Sequence, residues 1–180
     1  MGVPGAGFDL GAVGVSSALE RVPPEPLTGA RSTVRPATDD DVDLLVAWHA
    51  DPEVSRYWDD EVPTREEVVE DLARPDVDPY IVEAGGEPVG YLQAWFASEE
   101  AGLDTFLIPS ARGRGIGPDA ARTLATWLVE RGSVGRLITD PYLWNERAIR
   151  AWTRAGFRPV GEREPDADRR DPWLLMLFEG

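Results

Sequence analysis

Residues 111–117, ARGRGIG, combine residue types that can bind an anion. The three glycines of this loop permit tight or left-handed turns, so successive backbone N–H groups can converge on one phosphate. A helix predicted to begin at Pro118 adds the positive end of its dipole, and the two arginines can bracket a diphosphate. The predicted anion contacts are Arg112, Gly113, Arg114, Gly115, Ile116 and Gly117.

Other phosphate-binding patterns do not fit this loop. A P-loop needs Gly-Lys-Ser/Thr after the glycines, and the dinucleotide pattern GxGxxG needs a third glycine where Pro118 and Ala120 stand. An arginine-glycine tract for RNA is disfavoured by the net charge of −15 and the isoelectric point near 4.4. What remains is Arg-x-x-Gly-x-Gly between a strand and a helix, with a tight turn that binds nothing as the alternative.

Acidic and basic residues are segregated along the chain. Residues 39–71 carry thirteen acids against Arg56 and Arg65, a net charge of −11, whereas residues 111–156 carry eight arginines against four acids, a net charge of +4. The first segment is suited to meet cations and the second to meet an anion. Any single carboxylate of the acidic segment can instead be a solvated surface group.

Composition limits the chemistry further. With 180 residues and 42% hydrophobic content, the chain is expected to form one domain. The absence of cysteine and the single histidine, His49, exclude disulfides and a histidine-rich metal centre, so no metal is predicted. No apolar run approaches the roughly 18 residues of a membrane-spanning helix. We therefore expect a cytoplasmic protein, soluble and without membrane partners, whose chemistry comes from carboxylates, backbone groups and aromatic rings.

The elements that must position these residues form an α/β mixture. Residues 1–30 are rich in glycine, proline and small residues without sustained periodicity, which predicts a flexible or loosely packed arm before a single domain over residues 31–180. A strand at 32–35 is followed by capping signals for two acidic helices and for a short helical turn between them. These signals are Thr38 with Asp41, Asp51 with Pro52, and Thr64 with Glu67.

The second half alternates between strand and helix patterns. Two strands at 79–84 and 89–97 are predicted to form an antiparallel hairpin through a GGEP turn. The remaining predicted elements are a strand at 102–108, a helix at 118–131, a strand at 134–140, a helix at 145–156 and strands at 157–162 and 173–179. Strands joined through a helix should be parallel. The pattern predicts a mixed sheet of about seven strands flanked by about four helices.

Two motifs taken together are similar to those of a known superfamily. Arg-x-x-Gly-x-Gly is followed about thirty residues later by NERAIRAWTRAGF. In register with the second motif stand Asn145, Ala148, Gly156 and Phe157. Over residues 31–180 the chain therefore resembles the GCN5-related N-acetyltransferase (GNAT) superfamily. The resemblance implies the GNAT fold, with acetyl-coenzyme A as cosubstrate and its diphosphate on the glycine loop.

The resemblance also implies where the rest of the cofactor binds. Two neighbouring parallel strands, at 102–108 and 135–140, are expected to splay apart and expose strand backbone. Pantetheine would pair in the gap like an extra strand. Backbone groups around Phe106 and Ile108 would bind its amides, and Asn145 would meet the cofactor beyond the gap.

Shorter elements are similar to the aminoglycoside 6′-N-acetyltransferases, a group within the superfamily. They are Pro-Tyr-Ile, Gly-Glu-Pro, Gly-Tyr-x-Gln, Leu-Asp and Thr-Asp-Pro. The likeness implies acetyl transfer to an amine of an aminoglycoside antibiotic, which confers resistance. A polyamine needs a cleft lined with carboxylates, and aromatic faces add cation–π contact. The candidate acceptor-binding residues are Trp58, Asp59, Asp60, Trp95, Asp140 and Asp166.

Asp104 is the candidate catalytic base. It matches the strand aspartate of that family by register, and beside the splay it could accept the amine proton or merely hold an ammonium group. Trp152 occupies the position of a tyrosine proposed to protonate the leaving thiolate, and an indole cannot do this. Because a thiol pKa of roughly 8.5 makes coenzyme A a tolerable leaving group, activity is expected to survive through water or Tyr142, with Trp152 only packing.

Two other functions stay open. A siderophore-type acyltransferase acting on hydroxylysine shares the fold and several motifs, but it usually relies on a histidine near the acceptor. His49 lies on an early helix and is expected to be structural. The missing tyrosine favours a non-catalytic acetyl-coenzyme A-binding module instead. The expected partner is a small polyamine and not a nucleic acid, and both a monomer and a homodimer fit the sequence.

Overall fold

In a computed structural model of the chain, the described residues are 21–58, 62–98, 100–132, 134–166 and 169–180. They form one mixed sheet of eight strands and five α-helices. The strands are β1 (Leu27–Thr28), β2 (Thr33–Pro36), β3 (Val77–Ala84), β4 (Glu87–Phe96), β5 (Ala101–Leu107), β6 (Leu137–Thr139), β7 (Phe157–Arg163) and β8 (Trp173–Phe178). The helices are α1 (Val42–His49), α2 (Pro52–Trp58), α3 (Arg65–Leu72), α4 (Ile116–Glu130) and α5 (Glu146–Ala155).

The strand order across the sheet is β1-β2-β3-β4-β5-β6-β8-β7. Every neighbouring pair is antiparallel except β5 and β6, which are joined through α4 and are parallel. The predicted mixed α/β sheet is confirmed, with two-residue β1 as an additional edge strand.

Early helices begin where the capping signals predicted. The Glu67 carboxylate accepts from the Thr64 N–H at 2.7 Å while the Thr64 hydroxyl accepts from the Glu67 N–H, which is a complete capping box. Thr38 and Asp41 form a second box, at a single 3₁₀ turn before α1. Asp41 is also buried, where it accepts two hydrogen bonds from the Arg35 guanidinium. Several acids of segment 39–71 therefore stabilise the fold instead of facing an incoming cation.

Both faces of the sheet are covered. Successive side chains of a strand point to opposite faces, so β5 contributes residues to two different hydrophobic clusters. Leu103 of β5 packs in the cluster that contains the buried residues of α4 and α5. Phe106 of the same strand packs in the cluster formed with α1, α2 and α3. Within the described residues, no helix combines the length and the apolar character needed to cross a membrane.

Residues 21–30, which were predicted to belong to a loose arm, pack against the domain. The Arg21 side chain is buried, donates to the Pro75 carbonyl at 3.0 Å and lies 4.2 Å from the centre of the Phe96 ring. The Tyr80 hydroxyl donates to the Arg21 carbonyl. Residues 21–30 therefore belong with the domain, which was predicted to begin at residue 31. Residues 1–20 of the predicted arm lie outside the described part of the chain.

Strands β5 and β6 separate after a short contact. Their pairing is confined to Ala101 with Leu137 and Gly102 with Ile138. Strand β5 continues to Leu107, whereas β6 ends at Thr139. The predicted splay is present, and we use this word for the gap that opens between the two strands beyond Gly102.

Candidate active site

The glycine loop joins β5 to α4. Gly113 and Gly115 have φ angles of 77° and 79°, in the left-handed region that favours glycine, and Gly115 is the N-cap of the helix. Helix α4 begins at Ile116, so Pro118 is not the first helical residue as predicted but lies within the first turn. A proline fits there because an N–H group in that turn has no intrahelical acceptor. The remaining N–H groups at the start of this fifteen-residue helix can receive an anion.

The two loop arginines differ in their surroundings. Arg112 donates from Nε to the Leu107 carbonyl at 2.8 Å and from Nη2 to the Glu53 carbonyl at 2.6 Å. These bonds tie the loop to the end of β5 and to α2, and the Arg112 side chain is only 14% exposed. Arg114 is exposed. Arg112 thus shapes the loop, and Arg114 is the cation more accessible to a diphosphate.

A further arginine, Arg31, lies at this loop, and sequence reasoning missed it. The Asp119 carboxylate, in the first turn of α4, accepts from the backbone N–H groups of Ala30 at 3.1 Å and Arg31 at 2.8 Å, and from the Ser32 hydroxyl. This places Arg31 Cδ 3.3 Å from the position that a Cβ atom on Gly115 would occupy. No local spacing could reveal the contact, since 88 residues separate Arg31 from Asp119.

The backbone of β5 shows which groups face the splay. The Ile108 N–H donates to the Val89 carbonyl at 3.0 Å, towards β4, while the Ala101 N–H donates to the Arg136 carbonyl on the β6 side. Since these directions alternate along a strand, Phe106 and Ile108 present their backbone groups to β4. The predicted pantetheine contacts at Phe106 and Ile108 must therefore move by one residue.

Thr105 and Leu107 carry the backbone groups that face the splay. Both are partly exposed, whereas Leu103, the next residue of the same parity, is fully buried. The Leu107 carbonyl already accepts from Arg112, so the Leu107 N–H and both polar groups of Thr105 are available. This set can pair with the amides of an extended ligand as a neighbouring strand would.

Asn145 caps α5 at the far side of the splay. Its Oδ1 accepts from the Ala148 N–H at 3.1 Å. The cap commits the oxygen, so the Nδ2 group is the part of Asn145 that can reach a ligand. Its predicted contact with the cofactor stays a prediction.

Asp104 lies on β5 beside the splay, next to Gln93 and Trp95 of β4. Gln93 stands opposite Asp104 in the β4–β5 pairing, and its Nε2 donates to Asp104 Oδ2 at 3.0 Å. The Trp95 indole also lies near Asp104 and lowers the pKa of this carboxyl. The Trp95 ring lies across Gly102, where a Cβ atom would be 2.1 Å from ring carbons. Only a glycine at position 102 leaves room for the Trp95 ring in this place, and this role was missed in the sequence.

The electrostatics of Asp104 suit a base. Burial and the nearby charge of Asp140 raise the pKa of Asp104 to about 7, against the lowering effects of the Gln93 hydrogen bond and of Arg169. A carboxylate with this pKa is half-ionised near neutral pH and can accept a proton from an amine. Ordinary exposed aspartates, with pKa values of about 4, are much weaker bases.

The acidic cleft consists of Asp104, Asp140 and Asp166, with Arg169 and Trp173. Asp140 follows β6, and the segment after it is held beside β8 by the bond from the Leu174 N–H to the Pro141 carbonyl at 2.9 Å. Burial and the charge of Asp166 raise the pKa of Asp140, while its bond with Arg169 opposes them. The structure thus brings together three of the predicted acids. Asp59 and Asp60 lie outside the described residues.

Trp58, a predicted acceptor contact, belongs to an aromatic cluster. Its ring makes edge contacts with Tyr91 at 5.6 Å, Phe106 at 5.2 Å and His49 at 6.1 Å between centroids. His49 is buried, and burial lowers its pKa, which matches the structural role predicted for it. Trp152 is buried against Phe157 with ring centroids 5.1 Å apart, as expected of a residue that only packs.

Comparison with known proteins identifies the family. A profile of the acetyltransferase (GNAT) domain matches residues 37–164, and the chain belongs to this family. The family consists of N-acetyltransferases that use acetyl-coenzyme A, so the fold and the class of enzyme predicted from the motifs are confirmed.

The relatives are more specific than the family. The aminoglycoside N(6′)-acetyltransferase type 1 of Klebsiella pneumoniae is 33% identical in a 150-residue alignment, and the match covers 72% of this chain and 75% of the relative. A structure of AAC(6′)-Ib with paromomycin and acetyl-coenzyme A has a TM-score of 0.74 at 29% identity, covering 82% of this chain and 93% of the other. A structure of the same enzyme with coenzyme A and kanamycin has a TM-score of 0.72 at 30% identity, covering 81% and 93%.

Proposed function

We propose that the protein acetylates the 6′-amine of aminoglycoside antibiotics with acetyl-coenzyme A. The observation that carries the proposal is the position of Asp104, a carboxylate with a raised pKa that lies at the splay close to Asp140, which in turn lies close to Asp166. An antibiotic with several ammonium groups complements this cleft in charge. The named relatives support the same acceptor class. Because acetyl-coenzyme A is an intracellular metabolite, we place the reaction in the cytoplasm, where it would protect the cell.

Each part of the site contributes one step. The glycine loop and the splay hold the cosubstrate so that its thioester lies next to Asp104. Asp104 accepts a proton from the bound amine, whose nitrogen forms a bond to the thioester carbon. The carbon–sulfur bond then breaks, and the coenzyme A thiolate leaves and takes a proton from water. Asp140 holds a neighbouring ammonium group of the acceptor and keeps the amine in line.

A matched pair of antibiotics tests the proposal. Neomycin carries a 6′-amine and paromomycin carries a hydroxyl at the same carbon, and the two are otherwise alike. We expect thiol release and a monoacetylated product with neomycin and kanamycin, and no product with paromomycin. Acetylation of paromomycin would show that the enzyme acetylates an amine other than the 6′-amine. Acetylation of hydroxylysine alone would favour the siderophore-type function, and coenzyme A binding without any turnover would favour a binding module.

The described structure does not favour the siderophore-type alternative. That chemistry usually needs a histidine near the acceptor, and the single histidine of the sequence is buried in the aromatic cluster. His49 lies 5.2 Å from Phe106 between ring centroids, with its pKa lowered by burial. The described ionisable side chains of the acidic cleft are therefore carboxylates and an arginine, and the histidine that the siderophore-type reaction usually needs is not among them.

A further inference from the structure

Arg169 is the cation at the centre of the acidic cleft. Its Nη2 donates to Asp140 Oδ2, and its Nη1 lies 3.4 Å from Asp166 Oδ2. The guanidinium carbon lies 4.5 Å from the centre of the Trp173 ring. The side chains of Asp140 and Arg169 are 15% and 28% exposed, so the pair is largely withdrawn from water.

The surroundings of Arg169 are those that an acceptor ammonium group requires. An organic cation in a protein is stabilised by carboxylates and by the face of an aromatic ring, and Arg169 has both. Its positive charge also acts on Asp104, whose pKa it lowers. The guanidinium therefore occupies the position in the acidic cleft where an ammonium group of the substrate would be stabilised best.

The backbone of Arg169 is held by hydrogen bonds that do not involve its side chain. The Arg169 N–H donates to Asp166 Oδ1 at 2.9 Å, and the Asp166 N–H donates to the Arg169 carbonyl at 3.0 Å. These bonds close the turn between β7 and β8. The described side-chain hydrogen bonds of Arg169 go to carboxylates. Rotation about its side-chain bonds can therefore release Asp140 without moving the strands.

We propose that Arg169 is an internal occupant of the acceptor site and a determinant of acceptor specificity. This inference rests on the proposed function. A polycationic acceptor replaces the ion pairs of Arg169 with its own ammonium groups, whereas a monoamine can replace only one. Arg169 therefore discriminates against small monoamines and offsets part of the negative charge of Asp140 and Asp166 when no acceptor is bound.

Arg169→Ala tests the proposal, with Arg163→Ala as the matched control. Arg163 is an exposed arginine on β7 of the same hairpin, so its loss changes the net charge equally. We expect Arg169→Ala to lower the KM for kanamycin about tenfold and to gain measurable turnover of glucosamine, and we expect the control to change neither. Arg169→Lys, which keeps the charge but cannot reach both acids in the same way, should be intermediate. An unchanged or raised KM in both Arg169 variants would overturn the inference.

A binding probe separates this inference from the proposed function. Methylguanidinium should raise the thermal unfolding midpoint of Arg169→Ala at pH 8, should not raise that of the wild type, and should lose its effect when Asp140→Asn is added. This result supports Arg169 as the occupant of the cleft even if no antibiotic is acetylated. Equal responses of wild type and Arg169→Ala would overturn it even if kanamycin is acetylated, because no site would have been vacated.

Discussion

Replacing Asp104 with asparagine removes the proposed base and little else. Asparagine has the same shape, and its side-chain oxygen can still accept the hydrogen bond from Gln93 Nε2. It cannot accept a proton from the amine. General-base contributions are typically about 10²- to 10⁴-fold, so we expect turnover to fall at least about tenfold with little change in affinity for acetyl-coenzyme A.

The pH dependence of this loss distinguishes a base from an anchor. With the Asp104 pKa at about 7, the ionised fraction rises from roughly one tenth at pH 6 to roughly nine tenths at pH 8. The acceptor amine titrates equally with both proteins, so the ratio of wild-type to variant kcat/KM removes its contribution. That ratio should rise about tenfold between pH 6 and pH 8.

The assay is thiol release measured over this pH range for the wild type, Asp104→Asn and a control, Asp39→Asn. Asp39 is an exposed acid at the 3₁₀ turn before α1, so its substitution should leave the profile unchanged. A ratio that is large but constant with pH would show that Asp104 only holds an ammonium group. A ratio near one would remove Asp104 from the reaction.

The same substitution should affect stability with a defined sign. Because the folded-state pKa of Asp104 is raised above its unfolded value of about 4, wild-type stability falls as the pH rises between these two values. Asp104→Asn does not show this loss, because asparagine has no ionisable group in its side chain. It should be more stable than the wild type at pH 8, by at most about 4 kcal/mol, and should lose the advantage at pH 4.

Three further changes test other parts of the structure. Gly115→Val should weaken acetyl-coenzyme A binding at least about tenfold by strain and by contact with Arg31, while Gly132→Val, with φ of 67° beyond the opposite end of α4, should leave the dissociation constant unchanged. Trp152→Phe should keep kcat within about twofold, and a larger fall without destabilisation would give Trp152 a chemical role. Asp41→Asn should lower the free energy of unfolding at pH 7 by about 2–4 kcal/mol, because it breaks the ion pair with Arg35. Arg35 lowers the pKa of Asp41, so the loss should shrink when the pH falls far enough to protonate Asp41 in the folded protein. Equal destabilisation far below pH 4 would refute the ion-pair explanation.

Local sequence signals predicted the elements well. Helix caps at Thr38 and Thr64 depend on residues three positions apart, and the β3–β4 hairpin follows from the GGEP turn between two strand segments. The helix pattern between β5 and β6 also gave the parallel pair, whereas the candidate acid on β5 came from the family resemblance. Local signals were less accurate where glycines dominate, because the left-handed Gly115 lets α4 begin at Ile116 before the proline.

Contacts between distant segments could not be predicted from the sequence. The backbone direction at Phe106 depends on which neighbour β5 pairs with, so a correct strand assignment still gave the wrong residues for the splay. Arg169 reaches Asp140 across 29 positions, and Asp119 holds residues 30–32 across almost 90. In both of these contacts the carboxylate is evident in the sequence, but its partner is a residue that only the tertiary fold brings close.

The most direct test of the account is a crystal structure of the protein with acetyl-coenzyme A and kanamycin. We expect the diphosphate on the N–H groups of residues 113–117, pantetheine amides on the backbone of Thr105 and Leu107, and the acetyl group beside Asp104. The antibiotic should lie in the acidic cleft with one ammonium group on Asp140. A cosubstrate bound away from the splay, or an acceptor bound away from Asp104, would contradict the mechanism.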